Sequence, residues 1–120
     1  MGYDIYQIYF YLREDVEVFI PRFNRILCRK GLYVYTGSGG KNVLSRISRH
    51  IRKNKKMHWH IDYLLPFGKV VLIKIIRNLP ERNECLINLE TFRKFNGHFP
   101  IFGFGSSDCR TCPSHLIKIT

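Results

Sequence analysis

Residues 5–12 (IYQIYFYL) are dense in β-branched and aromatic side chains, the pattern of a buried strand. Arg13-Glu14-Asp15 breaks the run as a turn, and residues 16–20 alternate apolar with polar as a second strand that stops at Pro21. Residues 23–28 are its expected hairpin partner, and residues 32–35 form a further short strand after Gly31. Thr36-Gly37-Ser38-Gly39-Gly40 reads as a glycine-rich loop. A helix follows, with Asn42 as N-cap. At about 100° per residue Val43, Leu44, Ile47 and Ile51 share its apolar side. Arg46 and His50 are then surface neighbours at the border of that side. Residues 58–65 (HWHIDYLL) predict a second helix ending before Pro66, and residues 69–76 (KVVLIKII) a strand. Pro80-Glu81 opens a third helix reaching about Phe95, with Cys85, Leu86, Leu89 and Phe92 at helical spacing. Residues 96–120, rich in Gly, Pro and Ser, are expected to wrap the surface as loops.

The elements imply one α/β domain over residues 1–120, with a small, mostly antiparallel central sheet flanked by helices. The length suits one domain, and an apolar fraction of 45% with nine Phe and seven Tyr is enough for a core that needs no disulfide or metal.

Charge changes the picture. The formal net charge is +11, and eleven basic residues lie between Arg22 and Lys56 with no acid among them, so this stretch carries the whole excess. A polyanion partner is the natural expectation. Apolar runs such as residues 70–73 are cut short by Lys74, which argues against a membrane span. No secretory leader is visible, so a cytoplasmic location with reduced thiols is expected.

Two short motifs invite chemistry and fall short. The glycine loop lacks the Ser or Thr after Gly40-Lys41 that a phosphate-binding loop requires, and it fails the dinucleotide pattern at Asn42. A strand-to-helix turn needing positive φ accounts for it better. Cys109-x-x-Cys112, with His115 nearby, lacks a second pair of ligands, and Cys85 joins it only if the fold brings it there. A disulfide between Cys109 and Cys112, or simple packing, is the plainer explanation. His58-Trp59-His60 is likewise a helix start before it is a metal site.

Asp4-Ile5-Tyr6, Tyr35-Thr36-Gly37, the run Asn42–His50 with Arg46 and His50 four residues apart, and Glu84 on a later helix resemble, in this order, the elements of the GIY-YIG nuclease superfamily. Asp4 stands where that family has Gly, and Thr36 where it has Ile. The closer resemblance is to one archaeal and bacterial branch, a domain of unknown function called DUF123. It rests on YVYTGSG (33–39), RHIRKNKKMHWHIDYLL (49–65), the Glu84-Cys85 pair and GFGSSDCRTCPSHL (103–116), and spans essentially the whole chain. The last string has one extra residue between its cysteines.

The resemblance implies a metal-dependent endonuclease that hydrolyses phosphodiester bonds in DNA. Fusion of the branch's domain to DNA-repair modules in some relatives points to repair. Tyr6, Tyr35, Arg46, His50 and Glu84 are the implied catalytic set. Tyr6, Tyr35 or His50 orients the attacking water, and Arg46 clamps the phosphate through its planar fork. Glu84 is the ligand of one Mg²⁺ or Mn²⁺ ion. A tyrosine base needs its pKa lowered, which the cations around Arg46 are placed to do, whereas His50 near its ordinary value needs no such help. His60, Asp62, Ser107, Asp108 and His115 belong to the branch's own strings and are expected in the same cleft. Asp62 has the alternative of capping or pairing within its helix. Lys41, Arg49, Lys53, Lys55 and Lys56 form the expected nucleic-acid track, and a homodimer would suit cutting of both strands. Singly, each of these residues has an ordinary structural reading. The alternative is a nucleic-acid-binding module on the same fold without catalysis.

Overall fold

The computed structural model describes residues 2–39, 42–52, 55–81, 84–105 and 112–120. Its elements run β1 (Tyr3–Leu12), β2 (Val16–Ile20), β3 (Asn24–Cys28), β4 (Gly31–Ser38), α1 (Val43–Ile51), α2 (Ile61–Leu64), β5 (Lys69–Leu79), α3 (Glu84–Lys94) and β6 (Leu116–Lys118). A four-stranded antiparallel sheet has the order β5-β1-β4-β6, and β2 and β3 form a separate hairpin. This is the small α/β architecture that the pattern predicts. No helix among the described residues is long and apolar enough to cross a membrane.

Register explains how the sheet sorts its side chains. Tyr6 lies opposite Gly37, Ile8 opposite Tyr35 and Phe10 opposite Tyr33, so these residues share one face. They join Val18, Ile20, Cys28, Val43, Ile47, Ile61 and Leu64 in the main core, which the hairpin, α1 and α2 close. Gln7 lies opposite Thr36 on the other face. There Gln7 Nε2 donates to Thr36 Oγ1 at 3.1 Å and to Thr91 Oγ1 of α3 at 2.8 Å.

Four local expectations are corrected. The 36–40 segment does not begin as a loop, because β4 runs through Gly37 to Ser38, and neither Gly37 nor Gly39 has positive φ. Glycine serves close approach there: a Cβ on Gly37 would lie 2.5 Å from the Tyr6 Oη. In α1 the buried residues are Val43, Ile47 and His50, while Leu44 and Ile51 are exposed. The helix is rotated from its purely apolar phase because His50 finds a buried partner on β1. The segment 58–60 precedes α2 instead of opening it. The Asp62 carboxylate accepts from the His58 and Trp59 N–H groups, and Pro66 turns the chain into the short 3-10 segment Leu65–Phe67. The tail is not all loop, since Leu116–Lys118 pairs with β4 as the fourth strand, too short to announce itself by periodicity.

The predicted apolar stripe of α3 is corrected as well. Its buried residues are Asn88 and Thr91, and Leu86 is exposed. The helix meets a sheet face on which Gln7 and Thr36 are flanked by the buried apolar residues Ile5, Tyr9 and Val34.

Candidate active site

Tyr6 on β1, Tyr35 on β4 and His50 on α1 converge at one end of the core. The Tyr6 hydroxyl lies 2.7 Å from His50 Nε2. The Tyr6 ring centroid is 5.4 Å from His50 and 6.3 Å from Tyr35, and Tyr35 is 6.1 Å from His50. Gly37 opens the space for Tyr6. Gly105, at φ +66°, abuts the other tyrosine, for a Cβ there would meet Tyr35 Cε1 at 3.0 Å. All three rings are almost wholly buried.

Burial sets their protonation. Desolvation raises the pKa of both tyrosines, and the opposing pull of Arg46 is smaller. Both hydroxyls therefore stay protonated. Desolvation also lowers His50, to about 4, against the pull of the Asp62 carboxylate. The Tyr6 hydroxyl and Nε2 of neutral His50 share a hydrogen bond, and His50 Nδ1 faces Asp62 Oδ1 at 3.8 Å without a hydrogen-bond partner. The expected lowering of a tyrosine pKa by the basic segment, and the ordinary pKa expected for His50, are thus both replaced by the effect of burial.

Asp62 does two jobs: it caps the 58–60 turn and gathers cations. Arg49 binds it through both oxygens at 3.1 and 3.0 Å, and Lys55 Nζ lies 3.7 Å away. Hydrogen bonding and these charges hold the carboxyl below its ordinary pKa despite its burial. Arg49 and Lys55 therefore turn inward onto Asp62, with Lys55 Nζ also donating to the His50 carbonyl at 2.6 Å. Among the described residues Arg52 and Lys56 are exposed cations of the same stretch. With Arg49, Lys55, Met57 and His58 they line an open pocket of about 520 Å³. Lys41 and Lys53 lie outside the described residues.

Arg46 is half-buried beside this cluster. It donates to the Ser38 carbonyl at 2.7 Å, and its guanidinium carbon is 5.6 Å from the Trp59 ring centroid. Arg49 lies at 4.5 Å from the same ring and His50 at 5.4 Å. Trp59 is thus the platform for both arginines and the histidine, a role that spacing did not reveal. Glu84 stands in the first turn of α3, where its charge acts on Tyr6 and on Tyr35.

The branch-specific residues do not all gather here. His60 Nδ1 accepts from the Gly105 N–H at 2.9 Å, and its ring packs on Phe23 and Phe104, which ties the chain before α2 to the C-terminal segment. His115 is buried with Nε2 3.4 Å from Cys85 Sγ. Ser107 and Asp108 lie outside the described residues, as does Cys109.

Residues 5–120 match the family model described as "Domain of unknown function DUF123", and the chain belongs to that family. No curated protein and no solved structure matches it.

Proposed function

We propose that this protein is a metal-dependent endonuclease of the GIY-YIG type acting on DNA. The observation that carries the reading is the buried hydrogen bond from the Tyr6 hydroxyl to neutral His50, backed by Asp62. A protonated tyrosine is a poor base alone. Hydrogen-bonded to an unprotonated imidazole, it can take a proton from water while passing its own to His50 Nε2. Asp62 then stabilises the imidazolium that forms. Arg46, whose guanidinium is only partly used by Ser38, supplies donors to the phosphate. Its stacking on Trp59 limits the freedom of the fork before substrate arrives.

Glu84 suits a hard divalent ion. Mg²⁺ keeps several waters and takes one or two carboxylates together with substrate phosphate, so a single acid beside the tyrosines fits. Such an ion would neutralise charge building on the leaving oxygen. The exposed cations Arg52 and Lys56 supply the approach for a polyanion, with Lys41 and Lys53 as further members of the same basic stretch.

The test is nicking of supercoiled plasmid with Mg²⁺ or Mn²⁺. Wild type should cut, whereas Glu84→Ala, Arg46→Ala and Tyr6→Phe should each lose at least about 100-fold. Equal background cleavage by all four proteins, with a salt-sensitive gel shift retained, would leave a binding module without catalysis. Branched and single-stranded substrates identify the structure cut, and sedimentation with DNA tests for the homodimer.

A further inference from the structure

We propose that Cys85, Cys112 and His115 form a soft-metal site that binds Zn²⁺ when Cys85 is reduced, clamping the first turn of α3 to the segment that enters β6. The three donor atoms lie within 4.8 Å of one another, and among the described residues no other trio of His, Cys, Asp or Glu is so gathered. Bond lengths of about 2.3 Å to sulfur and about 2.0–2.1 Å to nitrogen place neighbouring ligands about 3.5–3.8 Å apart around a tetrahedral zinc ion. Cys85 Sγ and His115 Nε2 are already 3.4 Å apart. The third donor needs to close by no more than about 1 Å to complete the face of a tetrahedron. A fourth position remains for a further ligand.

The donor chemistry excludes the hard ion proposed for Glu84. Two sulfurs and an imidazole select zinc over magnesium. The surroundings suit ligation as well. The His115 backbone N–H donates to the Phe104 carbonyl at 2.8 Å, and its Nε2 faces Cys85. Asn88 Nδ2 donates to the Ser114 carbonyl at 2.7 Å and approaches Cys112 Sγ at 3.9 Å. Such outer contacts orient ligands. The buried residues of α3 are the polar Asn88 and Thr91, and a metal would add a clamp at the helix's first turn.

Cys85 is disulfide-bonded in the structure, while Cys112 is a buried thiol, which corrects both the expected reduced state of the cysteines and the expected Cys109–Cys112 disulfide. A disulfide sulfur is not a thiolate ligand, so metal and disulfide are alternative states of Cys85. A phosphine reductant converts one to the other. The disulfide gains two electrons and two protons and becomes two thiols, and the phosphine takes oxygen from water as its oxide. Zn²⁺ then displaces one proton from each ligating thiol into solvent.

The experiment uses the full chain, reduced with a phosphine, loaded with Zn²⁺ or Co²⁺ and desalted. About one metal per chain is expected, with a thiolate-to-cobalt charge-transfer band and tetrahedral ligand-field bands. Cys112→Ser and His115→Gln should lose the stoichiometric metal, Glu84→Gln should keep it, and the oxidised protein should not take it up. Reduced wild type that retains no metal, or a cobalt form without the charge-transfer band, overturns the proposal even if the variants fail to fold. Equal metal content in wild type, Cys112→Ser and His115→Gln does so too. The Glu84→Gln arm keeps this result separate from the fate of the nuclease reading.

Discussion

The two faces of the four-stranded sheet are filled differently. One face sends Tyr6, Ile8, Phe10, Tyr33 and Tyr35 into a core closed by the hairpin, α1 and α2, with the Tyr6–His50–Asp62 cluster at one end and the Tyr33 hydroxyl donating to the Arg29 carbonyl at the other. The other buries Ile5, Tyr9 and Val34 and, among them, Gln7, which donates to Thr36 and to Thr91 of α3. Burial of large apolar side chains contributes about 1.5–3 kcal/mol each. A typical internal hydrogen bond contributes only about 0.5–1.5 kcal/mol net. So the tyrosines and histidine of the candidate site stand on the face with the larger apolar core, while Glu84 and Cys85 come from a helix whose buried residues, Asn88 and Thr91, are polar.

The largest effect expected is at Asp62. Replacing it by Ala leaves Arg49 and Lys55 facing inward without their anion and frees the N–H groups of His58 and Trp59. A loss of about 3–5 kcal/mol in denaturant unfolding follows. A loss below about 1 kcal/mol would mean that the charged end of the main core adds little to it.

Next is the pH dependence from His50. Its folded pKa, about 4, lies below its unfolded value near 6.5, so the unfolded chain binds the proton first. Stability from keeping it neutral is complete above about pH 6.5 and is lost as pH falls towards about 4, on the order of 3 kcal/mol in all. His60 and His115 are displaced in the same direction, so the comparison is between the pH profiles of wild type and His50→Gln. The variant should lack one histidine's share of the slope. Parallel profiles would show that His50 is not held neutral. Asp62, displaced downward, adds its loss only below the ordinary carboxylate range near pH 3.9.

The smallest effect belongs to the α3 face of the sheet. Thr91→Val should cost about 1 kcal/mol, because Gln7 Nε2 loses its shorter acceptor. Adding Gln7→Leu should recover part of that loss, since two apolar partners leave no donor stranded. Additive losses in the double variant would show that packing, and not the hydrogen bond, docks α3.

Much of the fold was legible because strands and hairpin depend on local alternation. Residues 5–12 and 16–20 are found in strands β1 and β2, and the Asn42 cap stands as expected, with its side chain accepting from Ser45 N–H at 3.0 Å. The family strings drew attention to Tyr6, Tyr35, Arg46 and His50, and the fold brings them within one cluster. The errors share a cause. The phase of α1 was inferred from apolar residues alone, yet a histidine with a buried tyrosine partner outcompeted Leu44 and Ile51 for the core. Arg49 and Lys55 looked like outward cations because nothing in their neighbourhood of the chain announces that Asp62 will be buried beneath them.

By itself, the sequence determined the order of elements from β1 to α3, the family, and the concentration of positive charge between Arg22 and Lys56. These follow from side-chain type and short-range spacing. Tertiary structure decided which of those charges face inward, and that the tyrosines stay protonated and His50 neutral. It also decided that Cys85 meets Cys112 and His115. The physical reason is the same for each. Desolvation and long-range contact depend on what packs around a group in space, and local spacing along the chain does not encode that.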